Sequence, residues 1–484
     1  GVRALLVIPG ARGRRASLAG GVGGAGAHAA IFAWLVPTVD AFTPFGVAGG
    51  ALVLLLFAGA FGLAVAVFAW GFARIRRAAG PAWPLAIAAW FVACEFLAPQ
   101  IFPYAQGVAW YRAPALFLAA ATTGVAGITF LVLLANAVGV AGIEAWRAAR
   151  GGRAGAANGL ALAALVAVAL GLAARQEARV AEAERGGTPI RVAIVQPGGD
   201  PKAPPARSRE EAAEIARDLA ALARAAVARD GAIEVIVLPE KAIEWEPTRT
   251  WNRPVRDLAS ALGVEVWTGA SADERPAGEP RRIFNSAFRI RADGTIDPRY
   301  DKNVLVPFGE TMPLGDALAW LSRSIGRSSF TPGAGMPLYD TGATRFAFLI
   351  CYEAILPAFV REPVRRGADL LVNPTYDGWF GDTAEPEQHL MLVAVQAAQL
   401  GVPVLRAAST GISAVIDARG RVVARVGLFE REVLVADVTP VRAPGLYARW
   451  GDWLAWGCVA LSGVLLACDW RRRASPTSAA QAAP

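Results

Sequence analysis

A water-soluble α/β domain carried by a polytopic bundle of membrane-spanning helices is the architecture encoded in this chain. Three observations point to it. Hydrophobic residues make up 55% of the 484 residues and charged residues only 18%, whereas an ordinary soluble protein carries about a quarter charged residues. Nearly all of the apolar excess lies before residue 175 and after residue 452. Between those limits, residues 188 to 438 alternate short apolar runs with amphipathic stretches, the pattern of helices packed on sheets.

The spans come first. Crossing the hydrocarbon core takes about 20 mostly apolar residues, within a range of about 17–25. Six stretches qualify: 17–37, 46–72, 82–98, 114–143, 158–174 and 453–469. The fourth is long for one crossing and is expected to begin as an interfacial segment around Ala113 to Ala121. Arg12, Arg14 and Arg15 precede the first span, and Arg74, Arg76 and Arg77 follow the second. Arg147, Arg150 and Arg153 lie between the fourth and fifth, and Arg471, Arg472 and Arg473 follow the last. Six alternating spans place all four clusters on one side, which the positive-inside rule makes the cytoplasm. The region between the fifth and sixth spans then lies outside it. The net charge of +8 therefore reads as topology-setting charge. No basic run is interleaved with aromatics, so a nucleic-acid partner is not expected.

The expected division is a bundle of about five spans over 1–186, the α/β domain over 187–445, and a final helix with a cytoplasmic tail over 446–484. The chain opens GVRALLVIP, without methionine and without a signal-peptide pattern, so an incomplete N-terminus is expected. The closing ASPTSAAQAAP is low-complexity and expected to be disordered.

In the middle region IRVAIVQ, IEVIVLPE, VEVWTGA, FNSAFRI, FAFLICYE, DLLVNPT, VPVLRAAS and SAVIDARG read as strands. REEAAEIARDLAALARAAVARDG and EPEQHLMLVAVQAAQLG carry helical periodicity and end at glycine, a usual stop signal. VIDARGRVVARV reads as a hairpin turning on Ala-Arg-Gly. No internal repeat stands out.

Of four cysteines, Cys94, Cys458 and Cys468 lie in apolar stretches and Cys351 stands alone in the polar region. That excludes a disulfide within the domain, and no CxxC or Cys/His spacing calls for a metal. Only His28 and His389 are available, and His389, on a helical stretch, reads as a structural hydrogen-bonder. Three polar sites follow strand signals, the usual place for function in open α/β sheets. They are VLPEKAIEW with Glu240, YDKNVLVPFGE with Lys302 and Glu310, and FLICYEAILP with Cys351, Tyr352 and Glu353. Singly, each has a plain explanation: a helix cap, a solvated lysine, a buried small residue. Together they make a chemical set. A cysteine attacks a carbonyl well once its thiol has lost its proton. A carboxylate made basic by burial takes that proton, and an ammonium stabilises the oxyanion that forms. No histidine is needed.

The order LPE, YDKxxLVPFGE, CYE and NPTYDGWFGD resembles the nitrilase superfamily of carbon–nitrogen hydrolases. The forms LVPFGE, ICYEAILP, DGWFGD and LRAASTGISAVID look like its membrane branch, apolipoprotein N-acyltransferase. The likeness covers residues 188 to 438, and the flanking spans match the branch's layout. It implies an αββα sandwich attached to a transmembrane bundle, with the sandwich in the periplasm of a bacterial inner membrane. It implies Glu240 as general base, Lys302 as oxyanion donor and Cys351 as nucleophile, with Glu310, Tyr352 and Glu353 in support. It further implies a ping-pong reaction without metal or organic cofactor. Cys351 takes an acyl chain from a phospholipid as a thioester, and the α-amino group of a lipoprotein's diacylglyceryl-cysteine accepts it. Trp379 and Phe380 in GWFG would line the acyl path or dip into the membrane interface, as aromatics do; a packed turn is the plain alternative.

The sequence departs from the branch in three places. Six spans stand where eight are usual, and the loop VQPGGDPKAPPARS lacks a tryptophan. Tyr376 stands where asparagine is typical. These bear on substrate docking, not on the chemistry. Two other readings remain open: a membrane-tethered amidase that passes its thioester to water, and a catalytically silent scaffold. The intact Glu240, Lys302 and Cys351 argue against the scaffold, and the apolar spans favour a lipid acceptor over water.

Overall fold

A computed structural model describes residues 13–147, 153–199, 206, 208–311 and 330–474. The expected disordered tail after residue 474, Arg12, Arg150 and half of the loop VQPGGDPKAPPARS lie outside the described residues. The chain divides into two compact units. One is Gly1–Val36, Ala48–Gln176 and Arg449–Pro484, and the other is Pro37–Val47 and Glu177–Ala448.

Among the described residues, four helices are long and apolar enough to cross a membrane: Gly46–Leu97, Val125–Arg147, Ala156–Gly186 and Trp453–Ala474. Arg15–Ile31 and Leu35–Phe42, bent by 57°, make a fifth if counted as one span. Gly46–Leu97 has 52 residues, which at about 1.5 Å per residue is more than twice a bilayer core of about 30 Å. The run breaks at Gly80–Ala82, where Gly80 takes a φ of +57° and a 3₁₀ turn intervenes. Trp83–Leu97 then packs back on Gly46–Ala79. Trp90 donates its indole N–H to the Phe68 carbonyl at 2.9 Å. Gly71 makes room for that indole, because a Cβ there would lie 2.5 Å from the ring. The expected stretches 46–72 and 82–98 share this folded-back run. Ahead of Val125–Arg147 stand two short helices, Pro114–Phe117 and Ala120–Thr123, ended by Gly124 at φ +66°, so the expected stretch 114–143 is broken. Leu52, Leu55, Leu56 and Leu63 face outward. Lipid tails are as apolar as leucine, so such a face is at home in a bilayer.

Among the described residues, the second unit holds two six-stranded sheets. The strands are β1 Ile190–Gln196, β2 Val235–Val237, β3 Glu265–Glu274, β4 Arg282–Ile290, β5 Tyr300–Asp301, β6 Tyr339–Asp340, β7 Arg345–Phe348, β8 Leu370–Thr375, β9 Val404–Ala408, β10 Ala414–Ile416, β11 Val422–Arg425 and β12 Glu432–Val438. One sheet runs β12-β1-β2-β3-β4-β5 and the other β11-β10-β9-β8-β7-β6. In each, three consecutive parallel strands, β1-β2-β3 and β7-β8-β9, are flanked by antiparallel ones. The two halves thus repeat one topology that no sequence repeat announces. Strand β8, LLVNPT, is buried throughout, as expected of a central parallel strand covered on both faces.

Trp267 of β3 stacks on Phe346 of β7 at 3.9 Å between ring centroids, so the sheets pack face to face. Helices Arg209–Arg229 and Arg253–Leu262 cover the first sheet, and Pro357–Arg365 and Glu385–Leu400 the second. Ala212, Ala216, Leu219, Ala220, Ala223 and Ala226 form the buried stripe of Arg209–Arg229, spaced three and four apart as an amphipathic helix requires. Ser208 caps this helix by accepting from Glu211 N at 3.1 Å. The result is a helix–sheet–sheet–helix sandwich.

Helices Arg253–Leu262 and Pro357–Arg365 and strand β12 escape sequence reading. The helices are short and begin at or near proline, and β12 earns its place only by pairing with β1, some 240 residues earlier in the chain. The second unit takes in Glu177–Gly186, the last turns of helix Arg153–Gly186. Arg419 holds Glu177 at 2.7 Å and Glu184 at 2.5 Å, and Val180 packs with Ala418, Val441 and Ala443. Residues 37–47 join the same unit, where the Phe42 ring lies 4.8 Å from Trp379.

Candidate active site

Glu240 follows β2 by three residues. Its position depends on β3, since Gly269 N donates to Pro239 O at 3.1 Å and Ala242 N donates to Gly269 O at 3.0 Å. A Cβ on residue 269 would fall 2.6 Å from Pro239 O and 2.7 Å from Glu240 Cα. Gly269→Ala is therefore expected to push Glu240 out of place. Displacements of about 1 Å near reacting groups cost about 10²-fold in turnover. Turnover measured beside the unfolding midpoint checks this; a fully active variant would show that the close approach is dispensable.

Lys302 follows β5 directly. Its backbone is held on both sides, with its N–H on Asn285 O and its carbonyl accepting from Gly333 N, each at 2.8 Å. The ammonium is 1% exposed, 2.7 Å from Glu310 Oε2 and 4.0 Å from Glu240 Oε1. Burial works against its charge, but Glu310, Glu240 and Cys351 hold its pKa above the ordinary value. Against the cost of burial, the same ammonium draws the Glu310 carboxyl below its own. Asn285 links the two carboxylates, donating through Nδ2 to Glu240 Oε1 at 2.6 Å and to Glu310 Oε1 at 2.9 Å. Glu240 Oε2 is buried with no hydrogen-bond partner among the described residues. That oxygen is a free acceptor.

Cys351 lies three residues past the end of β7 and opens a 3₁₀ turn, Cys351–Ile355. Its φ is +51°, a left-handed conformation that costs a non-glycine residue about 1–3 kcal/mol and persists only where the surroundings impose it. Glu353 is one such constraint. Its carboxylate accepts from Ile350 N at 2.8 Å, Asn303 N at 2.7 Å, Val304 N at 3.0 Å and the Tyr300 hydroxyl at 2.8 Å. The cysteine turn is thereby tied to the segment carrying Lys302. Burial pushes Glu353 up to about 7 against the pull of Lys302 and these donors. Asn373 is another constraint, donating to Leu349 O at 2.6 Å and Cys351 O at 3.3 Å.

Burial pushes the Cys351 thiol up to about 12, aided by Glu240 and Asp377 and opposed by Lys302 and a hydrogen bond with Thr375. The thiol is neutral at pH 7 and needs a base to become a nucleophile. Tyr352 is buried beside it and feels the Lys302 charge.

Glu240, Lys302, Glu310, Cys351, Tyr352 and Glu353 thus come together. Trp379 and Phe380 are half-buried in the 3₁₀ turn Asp377–Phe380 after β8. There Trp379 packs against Phe42 and, at 5.9 Å, against Tyr376.

Behind the cysteine sits a group that sequence reading passed over. Arg406 is fully buried and donates to both Asp377 oxygens at 2.9 and 2.7 Å and to Asn373 Oδ1 at 2.7 Å. Against the cost of burial, this guanidinium holds Asp377 well below the ordinary carboxylate range. His389 Nδ1 stands 3.3 Å from Asp377 Oδ1 and 3.8 Å from Glu385 Oε1. Burial lowers the His389 pKa and raises that of Glu385. A charged or amide residue inside an apolar strand, Arg406 in VPVLRAAS or Asn285 in FNSAFRI, was the available signal, because such groups are seldom fully buried unless paired.

The carbon–nitrogen hydrolase family pattern matches residues 191–444, and that of the apolipoprotein N-acyltransferase N-terminal domain matches residues 2–138. An apolipoprotein N-acyltransferase of Geobacter metallireducens is 34% identical over 77% of this chain and 71% of its own length. One from Caulobacter vibrioides is 33% identical over 89% of this chain and 81% of its own. One from Bradyrhizobium diazoefficiens is 40% identical, with the match spanning about half of each chain, 49% and 45%. Among solved structures, Saccharomyces cerevisiae Nit3, described as a member of branch 10 of the nitrilase superfamily, is 20% identical over 52% of this chain and 90% of its own, with a TM-score of 0.41.

Proposed function

The chain belongs to the apolipoprotein N-acyltransferase family, and from that membership we propose that it moves one acyl chain from a membrane phospholipid to the α-amino group of a lipoprotein's diacylglyceryl-cysteine. The observation that carries this reading is the pair of opposite charges set on one buried thiol. Glu240 and Lys302 both act on Cys351, and Glu240 keeps one oxygen free.

In the first half-reaction Glu240 Oε2 takes the Cys351 proton and Sγ attacks the ester carbonyl of the phospholipid. The oxyanion forms against the Lys302 ammonium, which burial makes a stronger stabiliser than it would be in water. Collapse breaks the ester C–O bond, Glu240 returns the proton to the leaving alkoxide, and a thioester remains on Cys351. In the second half-reaction the acceptor's amine attacks that thioester. Glu240 takes the amine proton, the C–S bond breaks, and the amide leaves while the thiol is restored. Glu310 keeps Lys302 charged and placed, and Glu353 holds the cysteine turn.

The chain is a multi-pass membrane protein, which suits a donor and an acceptor that both lie in a bilayer. With the arginine clusters facing the cytoplasm, the α/β domain stands on the periplasmic side of the bacterial inner membrane. The domains are the N-terminal bundle, the catalytic sandwich of about 187–445 and the C-terminal helix.

The test is direct. Purified full-length protein in detergent is incubated with phosphatidylethanolamine and a synthetic diacylated lipopeptide, and the lipopeptide mass is followed. Gain of one acyl chain is expected. Free fatty acid without lipopeptide acylation would replace this reading with the membrane-tethered hydrolase.

A further inference from the structure

The Thr375 hydroxyl lies between the Cys351 thiol and the buried ion pair behind it. Thr375 is fully buried at the end of β8. Its Oγ1 donates to Asp377 Oδ1 at 3.1 Å and meets the Cys351 side chain. A hydroxyl has one proton to give and two lone pairs to receive. While that proton points at Asp377, Thr375 offers the thiol only an acceptor, which suits a neutral S–H. Once Cys351 is a thiolate the demand reverses, and a rotation about the Thr375 C–O bond delivers the proton to sulfur.

We propose that Thr375 is a switchable hydrogen-bond donor to the Cys351 sulfur, held ready by the Asp377–Arg406 pair. Asp377 keeps its partners during the rotation, since Arg406 holds both its oxygens and His389 faces one of them. No covalent bond to Thr375 breaks. The S–H proton goes to Glu240, and Thr375 changes only the acceptor its own proton points to. When the amine displaces the thioester, the C–S electron pair goes to sulfur, and the same O–H steadies that thiolate until Glu240 returns a proton. Arg406 and Asp377 are positioning residues, acting through Thr375 and, by way of Asn373, through the Cys351 carbonyl. The other charged or titratable groups around the thiol are Glu240 and Lys302 from the opposite sheet, Tyr352 and Glu353 from its own turn, and His389 and Glu385 from the covering helix.

This inference rests on Cys351 being the nucleophile, and its test does not use acyl transfer. Full-length protein in detergent is treated with iodoacetamide between pH 6 and 10, and modification of the Cys351 peptide is timed by mass spectrometry. A hydrogen bond to a charged group is strong enough that Thr375→Val should slow alkylation about tenfold or more at each pH. Thr375→Ser should stay within about twofold of the parent. Equal rates in Thr375→Val and parent would overturn the proposal, as would equal slowing in both variants, which marks a packing effect. Normal lipopeptide acylation by the parent alongside either result would leave the proposed function standing. A parent that shows the expected alkylation pattern but no acyl transfer would sink the function and keep the switch.

Discussion

Cys351→Ala is expected to lower acyl transfer by about 10⁴-fold or more, the scale seen when a nucleophile is removed from a concerted set. The fold should survive. Alanine keeps the Cβ, and the turn is held by Glu353 and Asn373 rather than by sulfur. The unfolding midpoint should therefore stay close to that of the parent. A companion measurement isolates the first half-reaction. With phospholipid but no acceptor, the parent should accumulate an acyl adduct on the Cys351 peptide that hydroxylamine removes, as a thioester requires. Transfer that persists in Cys351→Ala, or an adduct on another residue, would remove Cys351 from the chemistry.

Lys302→Met is expected to cost about 10³-fold in turnover, the upper end for losing one oxyanion donor, and also to unsettle the site. The ammonium holds two carboxylates that share Asn285. Without it, two acids in one buried site cannot both stay ionised, and the pKa of at least one rises. If Glu240 takes the proton the base is lost as well, so the acid limb of kcat/KM should move to higher pH. Removing one partner of a buried ion pair typically costs about 3–5 kcal/mol of stability. Lys302→Met/Glu310→Gln separates the two effects, because it removes the orphaned charge and should recover much of the stability with no recovery of turnover. A double variant that regains activity would show that Lys302 is structural.

These expectations draw on different layers of information. Glu240, Lys302 and Cys351 are legible in the sequence because each lies in a short motif that follows a strand signal, and the order of those motifs is long enough to specify a family. The apolar, membrane-spanning character of the bundle is legible because a bilayer imposes a length and a composition; where its helices bend and break, as at Gly80 and Gly124, is not. Asn285, Thr375, Asp377 and Arg406 are not legible as a group. They come from three strands, β4, the end of β8 and β9, and a buried polar residue declares its purpose only through the partner it meets. Arg406 in isolation looks like a mistake in a strand; beside Asp377 and Asn373 it is a clamp.

Local pattern settled what residues can do alone: cross a membrane, alternate along a strand, carry a thiol, a carboxylate or an ammonium. The parallel pairing of β1-β2-β3 and β7-β8-β9 settled which of them meet, since it brings strand ends far apart in sequence to one edge of the sandwich. It also set the conditions under which they act. Burial raised the Cys351 thiol to about 12, Glu310 and Glu240 kept Lys302 charged against burial, and the hydrogen bonds of Glu353 and Asn373 hold the turn in which the cysteine takes a φ of +51°. Those are properties of the surroundings, and surroundings are made by long-range contacts.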